Sequence, residues 1–220
     1  MLLNILAREY PPRSEKPLKG SPALFKNKFI DTYLSRIKPW QVLTIWVPIG
    51  VYFVYLSIIS LMSFWQQMAL ALLGALVWSF FEYAYHRFFE HFTPRNAWQE
   101  ELNFLIHGVH HQYPWDPDRL VMPPIFSVPL GVLIYYTSLS IFGTPYMYPF
   151  FASMVFSYLF YDMTHYATHH IKPKTALGRY LRDFHLLHHF KTPQMRYGVS
   201  SPLWDYILGT IPRSNDPKNQ

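Results

Sequence analysis

The residues of this 220-residue chain that could do chemistry by their type and spacing are its histidines, and all eleven fall in four clusters. His86 and His91 stand as H-x4-H, and His107, His110 and His111 as H-x2-H-H. The pattern returns as His165 and His169, with His170 beside them, and again as His185, His188 and His189. No histidine precedes His86 or follows His189. A neutral imidazole offers a lone pair at physiological pH, which makes it a common metal ligand. Side chains three and four positions apart on a helix share a face and can converge on one point. Ten converging imidazoles exceed the places of a single octahedral shell, so two neighbouring metal ions are the natural count. Any one histidine alone reads better as an ordinary core or surface residue. Four ordered clusters with none elsewhere do not.

The clusters differ in geometry. His107, His110 and His111 form a one-turn face, as do His185, His188 and His189, and each face could reach two metals. Asn96 and Thr175 are capping residues that predict helix starts shortly before these two clusters. His86 and His91 lie about 140° apart on an ideal helix, so that helix is expected to end between them. His165 and His169 sit one turn apart, whereas His170 is about 100° off the face of His169 and is left out of the metal site. Glu82 precedes His86 by four residues and Asp162 precedes His165 by three. A carboxylate bonded to the far ring nitrogen fixes the tautomer of a metal-binding histidine, and both acids are assigned that role.

Long apolar segments must position these clusters. Trp40 to Met62 carries no charge, Ser63 to Gln67 reads as a turn, and Met68 to Phe81 is again uncharged. Pro124 to Phe142 and Tyr146 to Tyr161 form a second pair around a turn at Gly143 to Pro145. The expectation is an all-α integral membrane protein with four transmembrane helices, about 40–62, 68–85, 124–142 and 146–161. These would form two hairpins beneath a cytosolic, histidine-rich helical cap holding a di-metal centre. Eight of the nineteen Lys and Arg precede Trp40, the other eleven follow the second or fourth segment, and neither short turn is charged. Two hairpins therefore put every Lys and Arg, every histidine cluster and both termini on one side, which the positive-inside rule makes the cytosol.

The net charge of +6 and pI near 9.4 then follow from topology and anionic lipids rather than from nucleic-acid binding. The absence of cysteine excludes disulfides, thiolate-ligated haem and cysteine-held iron–sulfur clusters. The chain divides into an N-terminal cytosolic or interfacial segment (1–39), a membrane domain (40–212) and a C-terminal tail (213–220). The opening MLLNILAREY is too short an apolar run for a signal peptide. Phe25, Phe29, Tyr33 and Ile37 recur at helical spacing among basic residues. They suggest a helix over Leu24 to Lys38, lying on a membrane surface or packing on its own domain. A metal transporter would carry ionisable groups along a path in mid-membrane, but these histidines lie outside the apolar segments. A non-catalytic metal-storing scaffold would tolerate loss of single histidines.

The stretches EYAYHRFFEH, IHGVHH, YDMTHYATHH and FHLLHH resemble the fatty acid hydroxylase superfamily of membrane di-metal oxygenases, in order and spacing. RLVMPP (119–124) and YGVSSPLWDYILGT (197–210) are similar to stretches of its fatty acid 2-hydroxylase branch, and speak against a sterol or carotenoid oxidase of the same superfamily. The resemblance implies that His86, His91, His107, His110, His111, His165, His169, His185, His188 and His189 bind two metals. Iron is implied for activity; imidazole also suits zinc. It implies a monooxygenase that hydroxylates carbon 2 of long fatty acyl groups, free or as the N-acyl chain of ceramide. Dioxygen would be the oxidant, with electrons from NAD(P)H through a reductase and cytochrome b5. Many members carry a fused cytochrome b5 domain with a His-Pro-Gly-Gly motif; no histidine precedes His86, so the donor is expected to be a separate protein, as in short plant-type members. Residence in the endoplasmic reticulum membrane is implied as well. Trp78, Tyr85, Tyr113 and Trp115 could line the entry of an acyl chain or anchor the protein at the interface.

Overall fold

In the computed structural model, residues 17–212 are described; the apolar opening and the C-terminal tail, residues 1–16 and 213–220, lie outside them. Helix α1 (Pro39–Ile58) opens on a proline whose missing N–H is no loss in a first turn, and the Gln41 side chain accepts from Lys38 N. Helix α2 (Phe64–Ala84) begins four residues before the expected Met68. Ser63 Oγ accepts from Gln66 N, and Gln66 Oε1 from Ser63 N. This capping box turns the expected loop at Ser63 to Gln67 into the helix's first turn.

Past Ala84 the chain widens into a π-helical turn, Tyr85–Glu90, closed by His91 N donating to His86 O at 3.1 Å. An i→i+5 bond stacks residues five apart, so His86 and His91 share one face where an α-helix would splay them. The helical run does end between the two histidines, at Glu90, but it ends as a π turn that brings them together rather than as an α-helix that would splay them. The same device recurs downstream. Helix α3 (Ala97–Asn103), capped by Asn96, runs through a second π turn, Phe104–Gly108, into the short α4 (Val109–Gln112). Helices α5 (Pro124–Phe142), α6 (Met147–His170), α7 (Ala176–Phe190, capped by Thr175) and α8 (Leu203–Ile207) follow.

Helix α6 is the hub, packed against α1, α2 and α5. Gly74 lets α2 approach closely, because a Cβ there would stand 2.6 Å from Phe150 O, and Ser153 Oγ donates to Ala71 O alongside. On the other flank, Trp46 of α1 is buried against Gly131 of α5 and donates from Nε1 to Ser127 Oγ. Trp46 and Trp78 both pack edge-on against Tyr158 of α6.

Among the described residues, three helices are long and apolar enough to cross a bilayer: α1, α2 with its π turn, and α5. Only 22%, 22% and 17% of their apolar windows are buried, so most of each apolar surface faces outward, as a lipid-facing helix requires. The expected fourth span, 146–161, does not reach that apolarity. It forms most of α6, which is buried on several sides by the other three and so does not need lipid-grade composition. The starts of α1 and α5 and the ends of α2 and α6 meet at one end: Ile37 N donates to Asp118 O, and Met122 N to Asp162 Oδ1. The amphipathic N-terminal segment is helical only over residues 28–34. Leu24 and Ile37 are buried while Phe29 and Tyr33 are 62% and 65% exposed, so one part packs inward and one points out.

Candidate metal centre

Ten histidines converge at this end in two groups of five. His86, His91, His107, His111 and His188 form the first; His110, His165, His169, His185 and His189 form the second. Within each, one nitrogen per ring lies within 4.8 Å of all the others. The π turn of α2 supplies His86 and the residue closing it, His91; α6 supplies His165 and His169. Helix α4 with the π turn before it, and α7, straddle the two groups: His107 of the π turn and His111 of α4 face one and His110 the other, while His188 faces one and His185 and His189 the other. His170 joins neither group and stacks on Tyr166, ring centroids 4.5 Å apart.

The spacing tests whether metals fit. In the first group Nε2 of His86 is 3.1 Å from that of His107 and 3.2 Å from that of His91; His107 is 3.1 Å from His111, and His91 3.0 Å from His188. In the second, His110 is 3.0 Å from His165 and from His189, and His185 is 3.0 Å from His189 and 2.9 Å from His169. Two nitrogens about 2.1 Å from one ion and at right angles are about 3.0 Å apart. Protons cannot satisfy such a knot. His86 Nδ1 donates to Tyr197 O at 2.6 Å and His188 Nδ1 to Met195 O at 2.7 Å, so both Nε2 atoms carry lone pairs toward the group. A cation between them resolves the conflict, and the donor set fits a di-metal centre.

Burial and neighbouring imidazoles hold His107, His110, His111, His165, His185, His188 and His189 well below the usual imidazole range, and push His169 down to about 3. The rings are therefore neutral at neutral pH, so each has a nitrogen lone pair to offer a metal.

Glu82 and Asp162 have other partners than the histidine rings. Glu82 Oε1 accepts from Val199 N at 2.9 Å and Ser200 N at 2.7 Å, and its other oxygen accepts from the Ser200 hydroxyl. It braces the 197–200 loop, and that loop brings Tyr197 O to His86. Asp162 accepts from Met122 N at 3.1 Å and the Tyr158 hydroxyl at 3.2 Å, tying the α5 entry to α6. Backbone carbonyls hold the rings of His86 and His188 instead, and the one on His86 comes from Tyr197, more than 100 positions along the chain, which spacing in the sequence does not reveal. The carboxyl nearest the rings is Glu90, 3.5 Å from His107 Nδ1 and 3.9 Å from His86 Nε2. Its position four residues after His86 and beside His91 was the available signal.

A cavity of about 470 Å³ opens against both groups, with His107, His110 and His165 in its wall. Most of the remaining lining is apolar, from Leu24 and Phe25 of the N-terminal segment to Leu105, Ile106, Val121 and Phe126, with Ser35, Glu90, Arg119 and Asp162 set among it. Among the aromatics considered for an acyl entry, Tyr85 lines this cavity; Trp78 lies in the helix core, Tyr113 is buried and Trp115 is 38% exposed.

Comparison with known proteins agrees with this geometry. A match to the fatty acid hydroxylase family covers residues 71–210. A dihydroceramide fatty acyl 2-hydroxylase of Arabidopsis thaliana is 35% identical, over 94% of this chain and 88% of its own. A ceramide very long chain fatty acid hydroxylase of Saccharomyces cerevisiae is 36% identical, over 87% of this chain and 50% of its own. A solved structure described as full-length scs7p, with only the hydroxylase domain visible, superposes with a TM-score of 0.85 at 32% identity, covering 98% of this chain and 84% of that one.

Proposed function

The chain belongs to the fatty acid hydroxylase family, and from that premise we propose that it hydroxylates carbon 2 of long fatty acyl groups, including the N-acyl chain of ceramide. The observation that carries this reading is one largely apolar cavity whose wall includes histidines of both five-membered groups. An acyl chain lying in that cavity presents its head end to the two metal sites. The ten histidines of the groups are the ligands. Two iron ions held there would supply the reduction of dioxygen and the oxidising power to hydroxylate a C–H bond; zinc would fit the same imidazoles and leave the site inert.

The protein's own residues do the positioning. Tyr197 O and Met195 O each hold one Nδ1–H, which aims Nε2 inward and makes the ring a better donor. Leu24, Phe25 and Phe126 give the cavity an apolar wall suited to an acyl chain. Electrons come from NAD(P)H through a reductase and a cytochrome b5. The setting is the endoplasmic reticulum membrane, with α1, α2, α5 and the α6 segment spanning in two hairpins, residues 40–212 as the working domain, and both termini and the metal centre on the cytosolic face. The one-sided placement of Lys and Arg supports that orientation.

Lipid mass spectrometry on a host lacking 2-hydroxylated sphingolipids tests the proposal. Expression of the chain should yield 2-hydroxyceramides, and the His188→Ala variant should not. Wild-type protein that is made, holds metal and yields none would overturn it.

A further inference from the structure

The lipid cavity has a chemically uneven wall, and this points to how the head of the acyl substrate is chosen. Three charged residues line it: Glu90, Asp162 and Arg119. The carboxylate of Asp162 is occupied by Met122 N and Tyr158. The guanidinium of Arg119 is neutralised by Asp31 Oδ1 at 3.0 Å and Asp116 Oδ2 at 3.3 Å. Glu90 alone of the three is unspent. It is 9% exposed, and its buried Oε2 has no hydrogen-bond partner. Buried polar atoms are ordinarily paired, so an unpaired acceptor beside a cavity invites a donor from whatever fills it.

We propose that Glu90 is a specificity-determining residue that accepts a hydrogen bond from an N–H or O–H on the head of an uncharged, amide-linked acyl lipid. It would thereby favour N-acyl substrates over free fatty acids and acyl thioesters with phosphorylated heads. This rests on the acyl-hydroxylation reading above. Oε2 lies 3.5 Å from His107 Nδ1 and 3.9 Å from His86 Nε2, at the edge of the first histidine group. In an N-acyl lipid the amide nitrogen and carbon 2 are bonded to the same carbonyl carbon. A group that grips the amide N–H beside these rings therefore also sets carbon 2 beside them. A fatty carboxylate brings only acceptors, and among the charged lining residues the one cation is already bridged by two carboxylates. An anionic head thus meets no free counter-charge among the charged lining residues.

The test uses full-length protein in lipid nanodiscs with a reconstituted electron supply, comparing wild type, Glu90→Gln and Glu90→Leu, with Glu90→Met as an unbranched apolar replacement. Each is given a ceramide and the free fatty acid of the same chain length. Metal content and retention of a non-hydroxylatable 2,2-difluoroacyl ceramide are read in parallel. Losing one substrate hydrogen bond should raise KM for ceramide and weaken analogue retention about tenfold in Glu90→Leu and Glu90→Met, with kcat changed less. Their ratio of free-acid to ceramide turnover should rise, Glu90→Gln should stay close to wild type because it keeps an acceptor oxygen, and all should hold the same metal. A ratio and analogue retention that the apolar variants do not move would overturn the inference alone. Loss of metal in those variants would also overturn it, by making Glu90 part of the metal centre. Wild type that hydroxylates neither substrate would remove the acyl-hydroxylation reading, and the inference with it.

Discussion

The rings of His111 and His189 stack with centroids 4.1 Å apart and planes 21° from parallel, although they belong to different five-histidine groups. The two groups are thus one packed unit, since α4 and α7 each serve both. His107→Ala and His165→Ala should each lower bound metal from two to about one per chain and abolish hydroxylation, with the remaining ion held more weakly. His170→Ala should keep both ions and most of the activity. Elemental analysis of purified protein after dialysis reads this directly. Two retained ions in either of the first two variants would refute the assignment.

Glu82 predicts an indirect effect on the same centre. Its carboxylate satisfies two backbone amides and a hydroxyl of the loop that carries Tyr197 O to His86. Glu82→Ala leaves buried donors unpaired, at about 1–3 kcal/mol each, and frees the loop. Metal affinity measured against a competing chelator should fall about 10- to 100-fold, the usual consequence of losing support behind a ligand. Unchanged affinity would mean the loop stays in place without its brace.

What was legible in the sequence follows from what short-range spacing encodes. The i, i+3 and i+4 histidines predict faces directly, and the fold gathers His107, His110, His111, His185, His188 and His189 into the two groups, with His107 on a π turn. His86 and His91 did not fit an ideal helix because the π turn that aligns them is set by tertiary packing, which spacing alone does not reveal. Asp162 and Glu82 were drawn to loops at residues 122 and 199–200, contacts across 40 and more than 100 positions. Apolarity located α1, α2 and α5 well, apart from the start of α2. It gave 146–161 as a fourth apolar segment of the same kind, because composition does not show that the other three helices pack around it.

The buried imidazoles set the pH response of the metal-free protein. In the unfolded chain they titrate near the ordinary value of about 6.5, whereas the fold holds them well below it. Below about pH 6.5 the unfolded state therefore binds more protons than the folded one, so stability falls as pH drops and is fully present above that range. Thermal unfolding of metal-free protein from pH 8 to 5 should show a plateau and then a steep decline. Metal release should follow the same direction, since protons compete for the ligand lone pairs. A melting temperature flat down to pH 5 would show that the rings are not buried neutral.

Arg119 should govern how tightly the lipid cavity is closed. It reaches Asp31 across 88 positions and Asp116 in its own loop, and with Arg36 it anchors Asp31, which in turn accepts from Leu24 N and Phe25 N. Those residues, with Ile30 and Leu34, form the cavity wall that the N-terminal segment contributes. Arg119→Met strands two buried carboxylates, at a cost of about 3–5 kcal/mol, lessened here because Asp31 keeps Arg36 and two amides. The segment should then detach more often than the helices unfold. Tryptic cleavage at Lys28 should accelerate about tenfold or more while the melting temperature falls only moderately, and KM for acyl substrates should rise. Arg119→Lys keeps the charge but loses the fork that reaches both acids, so its cleavage rate should lie between those of wild type and Arg119→Met. Cleavage at the wild-type rate in Arg119→Met would mean that the apolar contacts of Leu24 hold the wall without the ion pairs.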